Sequence, residues 1–139
     1  MNELTVALMC HNRPKTAVEA IKSILDQTLN NFDFIVSDNS TNNELQNILS
    51  KDFSKVESIV WDPHHKTLFD HFNALMGLVK TKYLVLFHDD DVMSFNYVKR
   101  ILEEFSKNPS ASAIATNGYF INADNKKINN KVIFDGSIF

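Results

Sequence analysis

The sequence predicts an α/β fold, a mainly parallel sheet with helices on both faces. Three observations carry that prediction. Short apolar runs alternate four times with segments of helical period. Each of the first four runs stops at polar or ionisable residues, the pattern of strands whose carboxyl ends carry a site. After Pro109 the alternation stops, and short strand-like stretches around a turn replace it.

The elements follow in order. Leu4 to Met9 reads as a buried strand that stops at Cys10, His11 and Asn12. Asn12 serves as an N-cap, and Pro14 falls in the first helical turn, where a missing N–H costs little. The helix runs to about Gln27, with Ala17, Val18, Ile21, Ile24 and Leu25 on its apolar face. Phe32 to Val36 is the second strand and ends in the turn-forming Ser37 to Thr41. A short helix around Glu44 to Leu49 points Leu45, Ile48 and Leu49 inward.

Val56 to Trp61 reads as the third strand, ended by Asp62, Pro63, His64 and His65. Thr67 to Val79 reads as a helix with Leu68, Phe72, Leu75, Met76 and Val79 on one side. Tyr83 to Phe87 is apolar without alternation, as a strand buried on both faces would be. Ser94 caps a fourth helix with the stripe Phe95, Val98, Ile101, Leu102 and Phe105, stopped by Asn108 and Pro109. Ala111 to Thr116 then reads as a strand. Tyr119 to Ala123 and Ile128 to Phe134 read as a hairpin around Asp124 and Asn125. Right-handed crossovers join the four βα units.

The totals fit one soluble domain spanning all 139 residues, with 44% hydrophobic and 22% charged residues supporting a real core. Residues 1–109 form the βα units and 110–139 the strand and hairpin region. A net charge of −3 leaves no basic footprint for nucleic acid. No signal peptide is visible, and no apolar run is long enough to span a bilayer. A single cysteine allows no internal disulfide. The expected location is the cytoplasm, with room for a peripheral partner at the inner membrane face.

The feature that organises the chain is His88 followed by Asp89, Asp90 and Asp91 at the end of the fourth run. Like charges repel, by roughly 4 kcal/mol per pair at ~4 Å and an effective dielectric near 20. Two readings relieve that cost. One is a solvated acidic turn that caps the next helix. The other is a site for a hard divalent cation shared with a diphosphate. The company the triplet keeps favours the second. His11 and Asn12, Asp38 and Asn39, and His64 and His65 end the other three strands. Each has a plainer reading too: Asn12 and Ser94 as caps, His64 and His65 as solvated loop residues, His71 as a helix-surface residue.

Other chemistries lack their residues. The dinucleotide fingerprint needs G-x-G-x-x-G after the first strand, where this chain has HNRPKT. With 3 glycines in all, a P-loop is equally absent. No acidic pair follows the first strand, as a phospho-receiver would need. Cys10 and His11 are adjacent and point to opposite faces, so they do not readily pair as nucleophile and base. The histidines show no recognisable zinc spacing.

Two stretches resemble the N-terminal half of family 2 glycosyltransferases with the GT-A fold. The first is VALMCHNRPKTAVEAIKSILDQT running on to FDFIVSDNST, similar to the family's A-I-x-S-I-L-x-Q helix core and to its second strand ending in D-G-S-T. The second is KYLVLFHDDDVM, similar to the family's strand and D-x-D region. Asn73 stands where the family has the Asn of an Arg-Asn pair, and Phe72 replaces the Arg. The resemblance extends to about Asn129.

It implies a Rossmann-like GT-A nucleotide-diphospho-sugar transferase fold, truncated in its C-terminal part. It also implies metal-dependent, inverting transfer from a nucleotide-diphospho-sugar, a UDP-sugar favoured, to a glycan or lipid-linked acceptor in cell-envelope polysaccharide synthesis. Asp38 would bind the base, and Met9, His11, Asn12 and Arg13 would line the base and ribose pocket with Asn73 nearby. Asp89 would contact the ribose. Asp90 and Asp91 would hold Mn or Mg, and His88 departs from the family's first Asp. Lys66 or His71 would stand in for the missing Arg. The family's acceptor site and catalytic base lie beyond the hairpin, so the base is unknown here and Asp135 is not assigned to it. The chain reads as a fragment or a shortened relative. An open sheet edge in 111–139 predicts homo-oligomers. The rival readings are a non-catalytic nucleotide-sugar-binding or scaffolding module and, more weakly, a nucleotidyltransferase.

Overall fold

A computed structural model describes residues 2–54, 56–60 and 67–132. The chain divides into two compact units, Met1–Arg100 and Ile101–Phe139. In the first, strands β1 (Leu4–Cys10), β2 (Asp33–Asp38), β3 (Glu57–Val60) and β4 (Tyr83–His88) form one sheet in the order β3-β2-β1-β4. Every pairing is parallel. Helices α1 (Pro14–Leu25), α2 (Glu44–Asp52), α3 (Leu68–Met76) and α4 (Tyr97–Lys107) alternate with the strands.

All seven residues of β1 are buried, because β1 lies between β2 and β4. Alternation therefore gives way to continuous apolar sequence. Ala7, Met9, Ile35 and Leu75 form one buried cluster, with Ile59, Phe72, Leu84 and Leu86 packed against it. Burying Met9, Ile35 or Leu75 contributes about 1.5–3 kcal/mol each. From α1, Ala17, Ala20, Ile21 and Ile24 are buried at helical spacing.

Several expectations are corrected. The run Tyr83 to Phe87 does not occupy the centre of the sheet. β4 ends the described strand order, and only Val85 of it is buried. Asn12 is not the cap of α1. Pro14 disfavours the helical region for the residue before it, so Arg13 is the boundary residue and makes no side-chain cap. Asn12 instead turns left-handed, with φ 56°. Helix α3 runs from Leu68 to Met76, capped by Thr67 Oγ1, which accepts the Asp70 N–H. Its inward row is His71 and Leu75, while Leu68 and Met76 are exposed. Phe95 is exposed and precedes α4, whose start at Tyr97 is fixed by other residues described below.

In the second unit, the rest of α4 leads to β5 (Tyr119–Ile121) and β6 (Lys127–Val132), an antiparallel pair with a register shift. Asn122 Oδ1 accepts the N–H groups of Asp124 and Lys126, and Asn125 takes φ 58°. The expected turn is therefore present. Ala111 to Thr116 is not a strand: no ladder pairs it among the described residues. His64, His65, Lys66 and Asp135, with the expected ends of the third strand and of the hairpin, lie outside the described residues.

Candidate functional site

The strand order places the site. From β1 the chain moves outward through β2 to β3, then returns to β4 on the other side of β1. The switch falls between β1 and β4, where open α/β sheets form a crevice beyond the carboxyl ends. The register sets Met9 opposite both Ser37 and His88, and Cys10 opposite Asp38. The polar ends of β1, β2 and β4 thus lie side by side.

Arg13 spans the switch. Its Nη2 lies 2.9 Å from Asp89 Oδ1, and its Nη1 donates to Asp90 Oδ2. A built-in guanidinium therefore offsets part of the triplet's repulsion. The two carboxylates differ in seating. The Asp89 side chain is 2% exposed and that of Asp90 is 49% exposed. Asp89 Oδ2 also accepts the His11 N–H at 2.8 Å. Burial pushes the Asp89 carboxyl up from its ordinary pKa, against the pull of the His11 N–H and Arg13. Burial and then Asp90 raise that of Asp91, with His88 and Arg13 opposing. His88 and Asp91 close the turn, the Asp91 N–H reaching the His88 carbonyl at 3.3 Å.

The turns after β1 and β2 are tied together. His11 Nδ1 lies 3.1 Å from the Asn39 carbonyl and 3.0 Å from its Oδ1. A carbonyl only accepts, so Nδ1 carries the proton and Nε2 accepts from Asn12 Nδ2 at 3.2 Å. Asn12 Oδ1 accepts both the N–H and the hydroxyl of Thr41, and the Asn12 N–H donates to Ser40 Oγ. These bonds engage both ends of the Asn12 amide, which makes it a strut between the turns. The left-handed backbone of Asn12 is what aims it there.

Asp38 is 1% exposed yet lies at a strand end. Its Oδ1 accepts the Ser40 N–H and its Oδ2 accepts Gln46 Nε2, both at 2.9 Å. Beside it Cys10 is buried, and burial, then the Asp89 and Asp38 charges, push its thiol far up. Such a thiol is no nucleophile at neutral pH. Met9 packs into the apolar cluster at 4% exposure. Asn73 is exposed on α3.

His71 corrects its surface reading. It is 2% exposed, and its Nε2 and Ser37 Oγ share a hydrogen bond of 2.7 Å. The pair joins α3 to the strand residue before Asp38. Hydrophobic periodicity could not reveal it, because neither residue is apolar.

A second set of unassigned residues sits on α1 and just after its end. Ser23 Oγ accepts the Met93 N–H at 2.9 Å. Buried Gln27 donates to the Ser94 carbonyl and accepts the Val98 N–H at 3.0 Å. The Thr28 N–H reaches the Phe95 carbonyl. Gln27, not Ser94, thus caps α4, and the segment after the triplet is held to α1. Ser23 and Gln27 are the polar positions of the A-I-x-S-I-L-x-Q core, so the motif signalled them without naming their partners.

No described group of three His, Cys, Asp or Glu could hold a metal ion. A hard cation of the Mg type commonly takes only one or two carboxylates and completes its shell with phosphate and water. Half-exposed Asp90, with Asp91 next to it, fits that partial role, whereas Asp89 has both oxygens engaged. A separate hollow of about 510 Å³ lies at the opposite, amino ends of the strands, lined among others by Thr5, Asp33, Glu57 and Lys80. It is remote from the triplet. No described helix is long and apolar enough to cross a membrane.

Comparison with known proteins adds a family. The profile described as glycosyl transferase family 2 matches residues 5–136. Among solved structures, S. aureus TarS superposes with a TM-score of 0.67 at 18% identity, covering 78% of this chain and 20% of TarS. TarS 1-349 in complex with UDP gives 0.66 at 19%, covering 77% and 32%. The same protein in complex with UDP-GlcNAc gives 0.59 at 20%, with the same coverage. The chain therefore spans between a fifth and a third of these structures, and at such identity they show the shared fold. A search of curated protein sequences finds no match.

Proposed function

The chain belongs to glycosyl transferase family 2, with its GT-A fold, and on that premise we propose that it binds a nucleotide-diphospho-sugar at the β1–β4 switch. It carries the donor half of a metal-dependent, inverting transfer to an acceptor hydroxyl. One observation supports this above others: Arg13 bridges the end of β1 to Asp89 and Asp90 within the same row of strand ends as Asp38. UDP is the favoured nucleotide, since two of the TarS structures are complexes with UDP and UDP-GlcNAc.

Each residue has a proposed part. Asp38, oriented by Ser40 and Gln46, recognises the base. His11, with its proton on Nδ1, and the strut Asn12 shape the wall of the base and ribose pocket; Met9 forms its floor and Asn73 borders it. Asp90 with Asp91 would hold Mn or Mg, which when bound would neutralise charge on the departing diphosphate. Arg13 adds a bidentate-capable cation at the same place. Asp89 holds Arg13 and the His11 backbone in position for it. We assign residues 1–109 to donor binding, a glycan or lipid-linked molecule as acceptor, and a cytoplasmic location, with self-association through the 111–139 region.

Titration calorimetry with UDP in the presence of Mn tests the reading. Binding that is lost in Asp90→Ala is the expected result. A chain that binds no UDP, or an Asp90→Ala variant with unchanged affinity, overturns the metal-donor site. A binding module without catalysis predicts the same binding but no release of UDP from a UDP-sugar.

A further inference from the structure

Arg13 holds two carboxylates that are seated unequally. Asp89 is enclosed, with one oxygen on the His11 N–H and the other on Arg13 Nη2. Asp90 faces water and meets only Arg13 Nη1 among the described residues. An ion pair at the surface is weak and readily exchanged, whereas one on an enclosed carboxylate is costly to break. The guanidinium therefore has a fixed edge and a releasable edge.

We propose that Arg13 is a hinged counter-charge. Its Nη2 edge stays anchored on Asp89. Its Nη1 edge covers Asp90 until a divalent cation takes that carboxylate, and then turns to a phosphate oxygen of the donor. This rests on the donor-site reading and adds an order of events to it. Three features support it. The arm is half exposed, so it has room to turn. Its planar fork suits phosphate as well as carboxylate. Releasing Asp90 leaves no buried charge unpaired, because the enclosed partner keeps its bond.

The hinge has a signature that neither a plain structural role nor plain phosphate binding shares. Removing Arg13 uncovers Asp90 for the metal but deprives the diphosphate of a cation. The two affinities must then move in opposite directions. The loss of free Mn signal by electron paramagnetic resonance reads the first, on the chain without nucleotide. Calorimetry with UDP at saturating Mn reads the second.

In Arg13→Ala, Mn alone binds about two- to fivefold tighter, and UDP binds about tenfold more weakly. Arg13→Lys falls between, because an ammonium keeps the charge without the fork. Arg13→Gln carries the same prediction should the alanine variant melt early. Mn affinity that is unchanged or weaker without Arg13, in a chain that still binds UDP with Mn, overturns the hinge and leaves the donor site standing. A wild-type chain that binds neither Mn nor UDP overturns both.

Discussion

The Arg13 guanidinium and the Asp89 carboxylate meet at 2.9 Å, the arginine half exposed and the aspartate almost wholly enclosed. The asymmetry makes Asp89 the member of the triplet that the fold depends on. Asp89→Ala leaves the His11 N–H without its acceptor and Arg13 with only the exposed Asp90, and should lower stability by about 2 kcal/mol. Asp90→Ala should change it by less than about 1 kcal/mol, as exposed pairs do. Urea unfolding of the two variants checks the order; equal losses would contradict it.

Gln27 joins three segments with one amide. Gln27→Leu preserves bulk but leaves the Val98 N–H without its side-chain acceptor and the Ser94 carbonyl with the Tyr97 N–H alone. A loss of about 2–3 kcal/mol is expected, from a residue far from the triplet in sequence. UDP affinity should fall as well, because the segment after Asp91 loses its hold on α1. A thermal melt and a calorimetric titration read the two effects; a variant unchanged in both refutes the capping role.

The Ser37–His71 bond is buried, so deleting one partner takes a buried hydrogen bond from the other. Ser37→Ala should destabilise by about 1–3 kcal/mol. A double-mutant cycle with His71→Leu should return a coupling of about 1 kcal/mol or more. Additive losses would show that the contact contributes nothing of its own.

Acid titration offers a test with an unusual sign. Burial raises the carboxyls of Asp89 and Asp91 above their ordinary values in the fold. A raised folded pKa favours the protonated group. Its stabilising contribution is complete below the unfolded value and is lost as pH rises through the folded one. Asp91→Asn removes that loss. Asp91 is only partly covered and water screens it, so its gain should stay within about 0.5 kcal/mol near pH 7.5 and fade toward about pH 4. A gain that grows in acid would reverse the assignment.

Much of the first unit was legible in residue order. Strand β1 and helix α1 declare themselves because burial on two faces, and on one stripe, writes two different periods. The clustering of polar groups at strand ends follows from the same alternation. Other features were hidden for physical reasons. Strand pairing is long-range, so nothing in Tyr83 to Phe87 shows that β4 ends the described order while β1 fills its centre. Buried polar pairs such as Ser37 and His71 leave no hydrophobic trace. Asp89 and Asp90 are chemically identical, and only the fold separates the enclosed one from the exposed one. The reading of Ala111 to Thr116 as a strand failed because propensity describes a residue, whereas a strand requires a neighbour.

The bonds from Ser23, Gln27 and Thr28 to Met93, Phe95 and Val98 tie the segment after the triplet to the end of α1. The two stretches therefore open together or not at all. In hydrogen exchange, the amides of Thr28, Met93 and Val98 should share one protection factor, although some seventy positions separate them in the chain. The same linkage bears on engineering. Transplanting His88 to Asp91 into another scaffold without residues 20–28 would carry over the carboxylates and leave behind the segment that keeps them in order.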